Sequence, residues 1–67
     1  MQRFFYVYVL TSKTDALNHY AGITHDLSVR LREHNRGHCL HTAKHRPWKI
    51  QIAIAFPSQA KARAFEK

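Results

Sequence analysis

Arg3-Phe4-Phe5-Tyr6-Val7-Tyr8-Val9-Leu10-Thr11 decides how this chain is read. Aromatic and β-branched residues crowd the stretch, which favours a strand. Its apolar character is nearly continuous, so cover is expected on both faces. Phe5, Val7 and Val9 fall on one face, and Tyr6, Tyr8 and Leu10 on the other. Ser12 to Asn18 is polar and suits a connecting loop. His19 to Ile23 is a short second strand, expected to pair with the first as a hairpin. Tyr20 and Gly22 share one of its faces.

Beyond the hairpin the period changes. Thr24 and Asp26 are candidate helix N-caps, and Gly37 supplies a left-handed stop after a helix running to about Arg36. At 100° per residue, Leu27, Arg30, Leu31 and His34 form one stripe, and Val29, Arg32, Glu33 and Arg36 fall opposite. The inward stripe thus mixes two leucines with a guanidinium and an imidazole. An unpaired buried arginine is costly, so Arg30 is expected to face a cleft or an anion. His38 to Pro47 reads as basic and irregular. Trp48 to Phe56 reads as a third strand, with Ile50, Ile52, Ile54 and Phe56 on one face. Pro57-Ser58 stops it and caps a last helix, Gln59 to Lys67, where Ala62, Phe65 and Glu66 share a stripe. The order β-β-α-β-α contains no repeating strand-helix-strand unit. The expectation is one α+β domain over residues 1–67: a three-stranded, mainly antiparallel sheet flanked by helices.

Composition narrows the function. Eleven Lys and Arg face four Asp and Glu, a formal charge of +7 with pI about 10.2. That excess favours a polyanion, nucleic acid before an anionic membrane. The single cysteine, Cys39, allows no internal disulfide, which suits a reducing cytoplasm. No apolar run reaches the ~20 residues of a membrane span, and Phe4 to Leu10 lacks the flanks of a signal peptide.

Hydrolysing a phosphodiester requires a deprotonated water, stabilised phosphate charge and a neutralised leaving oxygen. Of the four acids, Asp15 is in a loop, Asp26 starts a helix and Glu33 points outward. Glu66 alone lies on an inward stripe, and one glutamate is sufficient for a Mg²⁺ that keeps most of its waters. Against this stands a surface glutamate paired with Arg63 or Lys67. Arg30 can hold a phosphate with its fork of donors, or pair on the helix surface with Glu33 or Asp26. His34 can donate to phosphate, or be a satisfied half-buried histidine. Tyr8 and Tyr20 are core residues or catalytic phenols; a phenol acting as base near neutrality needs its pKa lowered by ~3 units.

The ordered set Tyr6-Val7-Tyr8, Tyr20-Ala21-Gly22, Arg30, His34 and Glu66 resembles the GIY-YIG nuclease domain over nearly the whole chain. It is most similar to the small stand-alone bacterial members, also through Thr42 to Lys49 and Phe56-Pro57-Ser58. The resemblance implies a small sheet flanked by helices and a DNA endonuclease requiring Mg²⁺ or Mn²⁺. It implies Tyr8 as general base, Tyr20 ordering phosphate and water, and Gly22 leaving room for substrate or close packing. It further implies Arg30 on phosphate, His34 assisting, and Glu66 on the metal. Branched or nicked DNA in repair is the substrate class it suggests. Tyr6, Val7 and Ala21 depart mildly from the family triplets, and His41 stands where the subgroup often has tyrosine. Similar proteins continue the last helix past the point where this chain stops, so a shortened C-terminus or weak metal binding is expected.

The basic loop is a candidate phosphate contact through His41, Lys44 and Arg46. Trp48, set among Lys44, His45, Arg46 and Lys49, is either a strand-start core residue or a surface on which bases stack. Two rival functions stay open. One is a non-catalytic nucleic-acid binder on the same scaffold. The other is a structural zinc module built on His34, His38, His41 and His45, or a protein-interaction domain.

Overall fold

A computed structural model describes residues 3–38 and 40–66. Cys39, on which the disulfide expectation rests, lies outside the described residues. Three strands, β1 (Phe5–Ser12), β2 (His19–Thr24) and β3 (Trp48–Phe56), form an antiparallel sheet in the order β2-β1-β3. Three helices accompany it: α1 (Leu27–Asn35), the short α2 (Leu40–Ala43) and α3 (Gln59–Glu66). The architecture is the α+β arrangement expected from the element order.

The apolar first strand takes the centre because it can pair on both edges. Tyr8 sits opposite Gly22 of β2 and Ala53 of β3. Two small neighbours therefore flank the ring that carries the site. Between Val9 and Leu10 the register to β3 slips, so that Val9 faces Ile52 while Leu10 faces Ile50. Gln51 is the extra residue, and its side chain accepts a hydrogen bond from the Thr11 hydroxyl at 2.7 Å. This bulge separates Ile50 from the face shared by Ile52 and Ile54, correcting the uninterrupted alternation expected for β3.

Asp26 caps α1 by accepting from the Val29 amide at 3.1 Å, and the chain leaves the helix through Gly37 at φ 81°. Only a residue without a Cβ takes that conformation freely, and the Arg46 guanidinium lies directly over the vacant Cβ position. The turn sends the chain back so that α2 forms within the segment expected to be irregular. Asn35, at the end of α1, then clasps the start of β3. Its Oδ1 accepts from the Trp48 amide at 2.6 Å, and its Nδ2 donates to the Trp48 carbonyl at 3.2 Å. Trp48 joins Tyr8 and Leu10 in the core, with Tyr20, Leu27 and Leu31 packed around them. Ser58 caps α3 through the Lys61 amide, and Ala62 of α3 is fully buried. No helix among the described residues is long and apolar enough to cross a membrane.

Candidate active site

The α1 stripe delivers His34 and Arg30 to the hydroxyl of Tyr8. The Tyr8 oxygen lies 3.1 Å from His34 Nε2, and Arg30 Nε donates to the same oxygen at 3.3 Å. Tyr20 completes the cluster, its ring 4.9 Å from the His34 ring and 6.5 Å from that of Tyr8. Four of the five residues singled out in the sequence therefore meet. Tyr8 and His34 are buried, while Tyr20 and Arg30 are half-buried and form the approach from solvent.

Gly22 makes this possible by close packing. A Cβ there would stand 2.6 Å from the Tyr8 hydroxyl and 2.8 Å from its Cζ. Any larger residue would push the phenol off its partners.

The electrostatics follow from burial and from one fixed cation. Arg30 is held well above its ordinary pKa, first by its hydrogen bond to Tyr8 and then by Glu33, so it is always charged. His34 is pushed below its ordinary value of 6.5, first by burial and then by the positive charge of Arg30. The imidazole is therefore neutral at neutral pH and has one lone pair to offer. A guanidinium against the phenol oxygen favours negative charge there, and a neutral imidazole beside it can take the proton.

Arg30 also corrects an expectation. Glu33 is not directed away from it: Arg30 Nη1 lies 3.0 Å from Glu33 Oε1 in an i,i+3 ion pair. The long guanidinium side chain reaches round the helix, which Cβ angles alone do not capture. Arg30 thus uses one nitrogen on Tyr8 and another on a partly exposed carboxylate.

Thr42 was not singled out as a site residue. Its hydroxyl lies 2.8 Å from His34 Nδ1, and both residues are buried. The available signal was the Gly37 reversal, which folds the next segment back onto α1. Neighbouring His41, Lys44 and Arg46 are exposed around α2 and the turn after it. Trp48 is not a stacking surface: it is 3% exposed, and its indole N–H donates to the Thr42 carbonyl at 2.8 Å.

The acids separate cleanly. Asp15 accepts from Leu17 and Asn18, Asp26 from the α1 amide, and Glu33 from Arg30. Glu66, in the last turn of α3, is exposed. An exposed carboxylate fits a hard divalent cation that takes most of its ligands from water and phosphate. No group of three or more His, Cys, Asp or Glu able to hold a metal occurs among the described residues. His34 spends both ring nitrogens on Tyr8 and Thr42, so the four-histidine zinc module has no first ligand.

A family model described as the GIY-YIG catalytic domain matches residues 4–67. No curated protein and no solved structure matches the chain.

Proposed function

This chain belongs to the GIY-YIG catalytic-domain family, a family of nucleases, and we propose that it is a divalent-metal-dependent DNA endonuclease with Tyr8 as its general base. The observation that carries the reading is the Tyr8 hydroxyl held between Arg30 Nε and His34 Nε2. A tyrosine that merely filled the core would need one hydrogen-bond partner for its hydroxyl, not a guanidinium as well.

The chemistry runs from the residues outward. A phosphate arriving at the half-exposed guanidinium displaces Glu33 from Arg30 Nη1, exchanging one anion for another. The freed Nη1 turns to the phosphate while Nε stays on the Tyr8 oxygen. Tyr8 gives its proton to His34 Nε2 and then takes one from the attacking water, whose oxygen bonds to phosphorus as the bond from phosphorus to the leaving sugar oxygen breaks. That oxygen takes a proton from solvent, and His34 afterwards returns its own to solvent. Arg30 holds the charge that develops on the phosphate, and Tyr20 lines the approach. Glu66 would hold Mg²⁺ or Mn²⁺, whose chemistry when bound is to neutralise the phosphate and the leaving oxygen. The exposed His41, Lys44 and Arg46 contact the backbone on either side of the break, giving affinity without sequence readout. A domain this small has little surface for reading bases, so recognition of branched or nicked DNA by shape, in cytoplasmic repair, is the reading we favour.

A second reading has its own support. Tyr8 is only 2% exposed, and the chain carries a formal charge of +7. Both fit a basic domain that binds nucleic acid without cutting it. Plasmid nicking with added Mg²⁺ or Mn²⁺ separates the two. The nuclease reading expects metal-dependent nicks that fall about 100-fold or more in Arg30→Ala and vanish in Glu66→Ala. Salt-sensitive binding with no nick at any metal concentration, and no change in binding in Glu66→Ala, would leave only the binder.

A further inference from the structure

We propose that Thr42 is a positioning residue for this site: its hydroxyl fixes the His34 ring so that the Nε2 lone pair faces Tyr8. The inference rests on the reading of Tyr8 as the base. His34 and Thr42 are 0% and 1% exposed, and their side chains meet at 2.8 Å across the α1–α2 junction. A neutral imidazole carries one N–H and one lone pair, and the partner of one nitrogen decides the state of the other. For Tyr8 to pass its proton to His34, Nε2 must be bare and Nδ1 must carry the hydrogen. The Thr42 hydroxyl is the group in place to accept from Nδ1–H.

Thr42 is itself anchored. Its carbonyl accepts from the Trp48 indole at 2.8 Å, and Trp48 is gripped through its backbone by Asn35 of α1. The ring is thus steered from the core side, away from solvent and substrate. In hydrolases that use a serine, histidine and aspartate, the aspartate both orients the imidazole and stabilises its charged form. A hydroxyl does only the first. That suits a histidine whose burial and nearby guanidinium already favour the neutral ring, and it sets a moderate size for the effect.

The test joins ¹⁵N NMR of the His34 ring with plasmid-nicking kinetics on wild type, Thr42→Val and Thr42→Ser. Valine keeps the shape and removes the hydroxyl; serine keeps the hydroxyl. The expected result is an Nδ1–H tautomer in wild type. Thr42→Val should lose that tautomer together with about 10- to 100-fold in nicking rate, a size typical of groups that orient a reactive side chain. Its KM for DNA should not change, and Thr42→Ser should restore both readouts. A wild-type ring protonated on Nε2 overturns the proposal, and needs no variant to fold. So does tautomer or rate moving without the other. A wild-type protein that cuts nothing sinks the base role of Tyr8 instead, and the NMR still decides whether Thr42 sets the ring.

Discussion

The α1 side of β1 and the outer strand β3 are built from similarly apolar sequence and end in opposite states. On the first, Tyr8, Leu10, Trp48, His34 and Thr42 are buried, and no buried side-chain polar atom among the described residues lacks a partner. On the second, every residue from Lys49 to Ala55 is exposed, and Ile52 shows 49% of its surface. Phe65 and Glu66 of α3 are likewise exposed. The difference teaches that alternation fixes which way a side chain points; it does not fix whether anything covers it. The covered side holds the Tyr8 hydroxyl between Arg30 and His34. The open side carries Glu66, exposed at the end of α3.

The contrast breaks first at Trp48. Its substitution by alanine opens a cavity beneath Tyr8 and removes the indole donor to the Thr42 carbonyl, so a loss of about 3–5 kcal/mol is expected. A domain of this length is stable by only about 3–10 kcal/mol, so that is a large share of the whole. Ile52→Thr on the exposed strand should change stability by no more than ~0.5 kcal/mol. Urea unfolding followed by circular dichroism checks both; equal losses would mean the two sides are not built differently.

A smaller effect comes from His34. Its pKa is lower in the folded protein than the 6.5 expected of the unfolded chain. The unfolded state therefore binds the proton more tightly, and stability falls as pH drops below about 6.5 toward the folded value. Above that range the imidazole is neutral in both states and contributes no slope. His34→Gln should flatten this acid limb in thermal melts taken from pH 7.5 to 5; an unchanged limb would mean that another group controls it.

Much of this was legible in the chain. Asp26 before an apolar period marked the start of α1, and the i, i+3, i+4, i+7 stripe placed Arg30 and His34 on the Tyr8 side. Tyr20 and Gly22 shared a face because strands alternate, and the register put Gly22 directly opposite Tyr8. Three features were not legible, each for a physical reason. The Arg30–Glu33 pair depends on a flexible side chain longer than the helix spacing. The Gln51 bulge depends on a local ladder choice that period-two reading cannot see. Thr42 depends on a chain reversal at Gly37 that brings a residue eight positions on back to the histidine. Glu66 was legible as an inward stripe with Ala62 and Phe65, yet only Ala62 of the three is buried.

The most direct measurement is the rate of Mn²⁺-dependent plasmid nicking by Tyr8→Phe, at a temperature where circular dichroism shows it folded. The substitution removes one oxygen and leaves the ring, Gly22 and the core in place. The expected rate falls about 10²- to 10⁴-fold, the size of a lost general base. A folded Tyr8→Phe that nicks as fast as the unaltered chain would contradict the account, because the oxygen held by Arg30 and His34 would then take no part in the chemistry.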